Sequence, residues 1–436
     1  MATITGFDAP IDTFTLGNMV PTRPLKVLEF TLDTLTVSIP IRVWGSSLYG
    51  FAGECTFSGS FDGTSMKALK QGTVTGIDST SYEQNKLISI SGLNLTLGAI
   101  QKGGYPLILA GDDTITGSSS GDRLFGHAGD DVIRGRDGDD YIDGGKGADV
   151  MYGGPGNDSY VVDDAGDQVI ERASEGRDWV LSSIREYTLP AHVEDLRLAD
   201  GSSARVGIGN ALDNHITGNM LDNRLEGLAG DDYLDGSGGA DVMLGGPGND
   251  GYFVDNRGDL VIELAGEGID TVESIIDFTL PEHVENLVLL LGATTGIGND
   301  QANRITGNDG KNSLSGGAGN DVLIGGGGRD RLEGGPGADR FVWQEAADGA
   351  DRILDFSPAE GDRLDFRGIL SGYEPGTSPV GDFVRLTGGK KGATVAIDID
   401  GSDGPAKFQA FAVLAGFDAG STSVEALVAD GSILIA

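Results

Sequence analysis

Gly126-His127-Ala128-Gly129-Asp130-Asp131-Val132-Ile133-Arg134 is a nine-residue unit with glycine first, aspartate sixth and an apolar residue eighth. The next three nonapeptides, at 135–143, 144–152 and 153–161, keep that frame. The frame returns at 209–253 and 298–342, so that sixteen units stand in register, some of them degenerate. The eighth position reads Leu124, Ile133, Ile142, Met151 and Tyr160, then Ile216, Leu225, Leu234, Met243 and Tyr252. A nine-residue period with one inward apolar residue fits half a coil of a β-solenoid: a six-residue turn, then a three-residue strand. Two nonapeptides complete a coil, and residues eighteen apart stack.

Stacking turns the sixth position into a column of oxygen ligands. Asp131 falls between Asp113 and Asp149, and Asp140 between Asp122 and Asp158. The second block contributes Asn214, Asn223, Asp232, Asp241 and Asp250, and the third Asn303, Asn312, Asp321, Asp330 and Asp339. Calcium is a hard cation that mixes carboxylates with backbone carbonyls. Carbonyls converge only where the chain accepts unusual dihedrals, which glycine does at least steric cost. The first-position glycines Gly126, Gly135, Gly144, Gly153, Gly227, Gly236, Gly245, Gly316, Gly325 and Gly334 supply that freedom.

Gly144-Gly145-Lys146-Gly147-Ala148-Asp149-Val150-Met151, Gly153 to Tyr160, Gly316 to Leu323 and Gly325 to Leu332 carry the pattern G-G-x-G-x-D-x-U-x, where U is a large apolar residue. On these residues the chain resembles the RTX family of exported bacterial proteins. The resemblance implies an all-β fold, a right-handed parallel β-roll or β-solenoid in three calcium blocks, with calcium held between stacked turns. One site would use Gly126, Ala128 and Asp131 with Gly145, Gly147 and Asp149. Pairs eighteen apart number four in the first block and three in each of the others, which predicts about ten calcium ions. Asn leads four of the pairs, and an uncharged amide should bind more weakly. The turn Gly117 to Asp122 has Ser120 in place of the fourth-position glycine, so it departs from the pattern of the other turns.

Composition agrees. Glycine makes up 73 of 436 residues, against a usual share of about 7%. The 67 acidic and 30 basic residues leave a net charge of −37. Such a charge opposes compaction without counter-ions. It also argues against a nucleic-acid partner, whose phosphates demand basic patches. A single cysteine, Cys55, excludes an internal disulfide framework, and bound metal is the alternative staple. The start, Met1 to Asp8, has no signal-peptide pattern, and no window is long and apolar enough for a transmembrane helix.

Three segments follow. Residues 1–107 alternate at strand period through Leu28, Phe30 and Leu32, then Leu35 to Val43, and again at Leu93, Leu95 and Leu97. They read as a β-rich cap on the solenoid or as an independent functional domain, and the two are compatible. Residues 108–342 form the roll, with calcium blocks at 108–161, 209–253 and 298–342. Spacers at 162–208 and 254–297 read as coils with wider turns. Gly153-Gly154-Pro155-Gly156 recurs as Gly245-Gly246-Pro247-Gly248, an offset of 92, and again at Gly334 after a further 89. His192 and His283 stand at equivalent places but alone, which favours packing over zinc. Residues 343–436, through Asp351-Arg352-Ile353-Leu354-Asp355-Phe356 and the apolar end Ile433 to Ala436, resemble the carboxy-terminal target domain of type I secretion substrates. That implies an uncleaved signal read by an ABC-transporter channel.

Function is then expected to be that of a non-enzymatic extracellular or cell-surface protein, structural, self-assembling or adhesive, folded by external calcium. No H-E-x-x-H motif, no nucleophile elbow and no Cys–His pairing is read. The alternatives are a module binding glycan or cell-surface polysaccharide through aromatics such as Trp44, Tyr49 or Tyr82, and an enzyme with an unrecognised site in 1–107.

Overall fold

The computed structural model describes residues 111–117, 119–345, 348–370, 372–389, 391–401 and 407–436, together with strand backbones between Thr3 and Thr96. The readings placed on Trp44, Tyr49, Tyr82 and the side chain of Cys55 lie outside the described residues. The chain forms two compact units, Met1–Ile216 and Thr217–Ala436. Strands on both sides of residue 342 share the second unit's ladders.

In the first unit, consecutive half-coils alternate between two parallel sheets. Thr114–Thr116, Val132–Arg134, Val150–Tyr152 and Gln168–Ile170 line one. Arg123–Phe125, Tyr141–Asp143, Ser159–Val162, Trp179–Ser182 and Asp195–Leu198 line the other. Ile133 pairs with Ile115 and Met151 in a register of eighteen, as the period requires. The middle residue of each strand points inward, and Ile133, Ile142, Met151, Tyr160 and Val180 are wholly buried. In the spacer the coil length changes: Ser159 pairs with Trp179, twenty residues on, and Trp179 with Asp195, sixteen on. At the other end, Leu87–Thr96 pairs antiparallel with Thr114–Thr116, so that the amino-terminal strands cover an edge of the roll.

The second unit repeats the plan. Tyr233–Asp235, Gly251–Val254, Thr271–Ser274, Asn286–Leu289, Arg304–Thr306, Val322–Ile324, Arg340–Val342 and Arg363–Asp365 form one parallel ladder. Ile433–Leu434 closes it. The facing ladder passes from Ser313–Ser315 and Arg331–Glu333 to Asp351–Ile353, then Gln409–Ala415. It ends in the antiparallel strands Gly392–Ile397 and Val384–Gly389. Two short helices, Val380–Phe383 and Val424–Ala429, interrupt the otherwise β-rich end. Trp343 stacks on Phe366, which meets Phe411 edge-on, and all three are buried.

Candidate metal centre

The sixth-position aspartates lie at the turns, not in the apolar core, yet none is more than 3% exposed. In Asp131, Asp149, Asp158, Asp241, Asp250, Asp321 and Asp339 the two carboxylate oxygens do different work. Oδ1 accepts a hydrogen bond from a backbone N–H one coil earlier. Asp113 N donates to Asp131, Asp131 N to Asp149 and Asp140 N to Asp158, at 2.7, 2.8 and 2.7 Å. In the second unit Asn223 N donates to Asp241, Asp232 N to Asp250 and Asp321 N to Asp339. Oδ2 of Asp131, Asp149, Asp158, Asp241, Asp250, Asp321 and Asp339 is buried and has no hydrogen-bond partner.

The first-position glycines explain where those oxygens point. A Cβ on Gly126 would strike Asp131 Oδ2 and the carbonyl oxygen of Gly144; on Gly316 it would strike Asp321 Oδ2 and Gly334 O. Gly135 leaves the same room for Asp140 and Gly153 O, and Gly144, Gly227, Gly236, Gly245, Gly325 and Gly334 for the aspartates of their own turns. Gly145 and Gly147 hold φ of +84° and +129°, where a side chain is strained, and the space a Cβ would fill holds His127 O and Gly129 O. Ala128 forms a bridge with Lys146 of the next coil.

A buried carboxylate oxygen facing carbonyls has no counter-charge, a costly state. Burial, helped by neighbouring carboxylates, pushes Asp113, Asp131, Asp158, Asp241, Asp250 and Asp339 up to about 7. Asp149 and Asp321 rise to about 6, again chiefly through burial. A donor set made only of carboxylate and carbonyl oxygens suits a hard divalent cation and not a thiophilic one. The residues present therefore fit calcium, which would supply the missing positive charge between stacked turns.

The asparagine turns depart from expectation. Asn214, Asn223, Asn303 and Asn312 are expected to be weak ligands, but their amides are engaged in hydrogen bonds. Their turns read G-N-x-x-x-N. Asn303 Oδ1 accepts from Asn299 N at 2.7 Å, while Nδ2 reaches Val284 O and Glu285 O. Asn299 Nδ2 donates to Pro281 O and Val284 O. Asn210 with Asn214 and Asn308 with Asn312 repeat the arrangement. In the fourth turn Asn219 N donates to Asn223 Oδ1. An amide carries donors where a carboxylate has none, so it draws the carbonyls of the previous coil together as a cation would.

The ladder also extends beyond the nonapeptides. Asp158 N donates to Asp178, Asp250 N to Asp270, Asp330 N to Asp351 and Asp339 N to Asp362. These aspartates stand 20, 20, 21 and 23 residues on, and so escape a search at eighteen. Asp167 and Asp259 keep the spacing of eighteen without the glycine frame. Glu194 and Glu285 end two columns by accepting from Asp178 N and Asp270 N. The matching spacers, in which Asp178 recurs as Asp270 at an offset of 92 and Glu194 as Glu285 at 91, are the signal that could have revealed them.

His192 and His283 sit at φ of 71° and 70°, and the carboxylate clusters among the described residues include neither. Gly117-Ser118-Ser119-Ser120-Gly121 does fit the G-x-S-x-G spacing, contrary to the reading that none occurs. It precedes the strand Arg123–Phe125, whereas a nucleophile elbow turns from strand into helix.

The sequence matches the RTX calcium-binding nonapeptide repeat in four copies, at 109–140, 125–160, 209–252 and 306–341. No curated protein matches the chain. Among solved structures, the extracellular lipase LipA from Serratia marcescens aligns at 15% identity with a TM-score of 0.16. The alignment covers 61% of this chain and spans 45% of the lipase.

Proposed function

Because this chain is built on the RTX calcium-binding nonapeptide repeat, we propose that it is a non-enzymatic protein of the cell exterior whose β-roll folds when external calcium fills its turns. The observation that carries the reading is the column of buried, unpartnered Oδ2 atoms. In low calcium these carboxylates repel one another. At extracellular calcium, binding free energy becomes folding free energy. Export by a type I channel, with 343–436 as the uncleaved signal, goes with this switch. An unfolded chain suits passage and a folded one does not.

Self-association is the proposed use of the folded roll. Leu260, Leu264 and Ile269 are 57, 64 and 62% exposed. Their counterparts 92 residues earlier are Gln168, Arg172 and Arg177. An exposed apolar stripe where the sister module is polar supports a contact between copies. Circular dichroism and light scattering, with calcium and with excess EGTA, test both parts. Strand signal and then larger particles should follow calcium addition, and L260Q/L264R/I269R should fold but stay small. A chain fully folded in EGTA sinks the switch, and unchanged scattering by the variant sinks the contact.

A second reading, capture of an acidic glycan, is favoured by a groove of about 510 Å³ where Lys311, Arg329, Arg331 and Arg352 gather. Binding of a polyuronate that R331E and R352E abolish would support it.

A further inference from the structure

The spacer after each of the first two calcium blocks carries V-I-E-x-A-x-E-G-x-D, as Val169 to Asp178 and Val261 to Asp270. The second Glu of each motif bends the chain. Glu175 accepts from Arg172 N, and Glu267 from Leu264 N. The bend carries the first Glu back against the last aspartate of the block. Asp158, Glu171 and Asp178 then place a carboxylate oxygen each within 4.8 Å of the others, and Asp250, Glu263 and Asp270 do the same. All six residues are at least nine-tenths buried, and Asp158 is wholly so. Oδ2 of the four aspartates and Oε2 of both glutamates have no partner.

We propose that Asp158–Glu171–Asp178 and Asp250–Glu263–Asp270 are two three-carboxylate calcium sites, one in each unit, which join the last repeat aspartate of a block to two carboxylates from outside the repeat. Each gathers three negative charges that no cationic side chain among the described residues answers. The nearby arginines turn elsewhere: Arg172 pairs with Glu175, and Arg177 with Asp195. Tyr160 OH donates to Glu171 Oε1, and Tyr252 OH to Glu263 Oε1. Each tyrosine thus acts as a positioning residue, fixing one glutamate oxygen and leaving the other for the ion. Gly153 and Gly245 admit the arrangement, since a Cβ there would strike the aspartate Oδ2 and the tyrosine oxygen. The third block provides a natural contrast, with Phe341 where the others have Tyr160 and Tyr252. Oxygen-only donors favour calcium or a lanthanide over zinc, and a third carboxylate should make these the tightest sites of the chain. The assignment rests on the repeat turns binding calcium as well, and the test separates the two.

The test uses the full chain stripped of calcium. Calcium is counted by equilibrium dialysis, and terbium is titrated while its emission is excited through tyrosine. The E171Q/E263Q variant should bind about two ions fewer, losing the tightest phase while later phases persist. Y160F/Y252F, which keeps every carboxylate, should lose most sensitised emission and bind calcium about 10- to 100-fold more weakly at these sites. It also serves if the glutamine variant fails to fold. D131N should remove a different, weaker phase and leave the emission intact. An unchanged count and tight phase in folded E171Q/E263Q overturns the proposal, as does unchanged emission in Y160F/Y252F. Clusters that merely share protons would give that result. A parent chain that binds two ions and no more would leave these sites standing and refute the repeat turns.

Discussion

At the scale of single residues, the first glycine and the sixth aspartate of a turn depend on each other. Gly144 needs no unusual dihedral, but a Cβ there would press into the carboxylate of Asp149. Gly144→Ala should therefore lower stability in saturating calcium by about 1–3 kcal/mol. Gly111→Ala, where nothing lies within 4 Å of the new atom, should stay within about 0.5 kcal/mol. Thermal unfolding in calcium distinguishes them. The asparagine turns make the opposite argument. Asn303→Asp removes the Nδ2 donor to Val284 and Glu285 and adds a charge. It should weaken the fold in EGTA yet raise the calcium count by about one; an unchanged count would mean that the asparagine turn already holds an ion.

At the scale of the coil, three-residue strands are too short to be stable singly, and a column of inward side chains holds them. Ile142 pairs with Leu124 and Tyr160 and is wholly buried. Ile142→Ala should cost about 2–5 kcal/mol through the cavity it leaves, measured by denaturant unfolding in calcium. A smaller loss would mean that neighbouring coils close around the gap. Much of this was legible in the sequence. The eighth position predicted the column, because a turn of constant length returns the same face inward each time. The sixth position predicted the carboxylate ladder for the same reason. What escaped was every place where the coil length departs from eighteen, as at Asp178, Asp270, Asp351 and Asp362. A fixed-period search assumes constant arc length, whereas a parallel ladder needs only that strands return to register.

At the scale of the whole chain, a net charge of −37 and rows of buried carboxylates make folding a matter of counter-charge. The raised aspartates set the direction. Burial raises their pKa in the calcium-free fold from 3.8 to about 6 or 7, which makes them weaker acids. The fold then holds protons more tightly than the open chain does. Without calcium, stability from these groups is fully present below 3.8 and is lost as pH rises through 6 to 7. With calcium the order reverses, since protons compete with the ion for the same oxygens. Circular dichroism in EGTA should show strand signal growing as pH falls from neutral toward 4, while the calcium-loaded chain loses signal over that range. Parallel pH profiles in the two conditions would refute the linkage between carboxylates and ion.

The sequence by itself determined the β-roll, its period, its apolar column and its oxygen-rich turns. All four follow from residues whose effect is local: glycine sets the bend, aspartate faces its own glycine, and the eighth residue points inward. Only the tertiary structure decided which oxygens are left without partners. Asn303 and Asp321 hold the same place in the repeat, yet one is closed by hydrogen bonds and the other keeps a bare oxygen. Glu171 lies thirteen residues beyond Asp158, in no register with it, and joins it because the bend held by Glu175 brings the chain back. Whether a buried carboxylate is satisfied depends on every group that surrounds it, and those groups come from coils far apart in the chain.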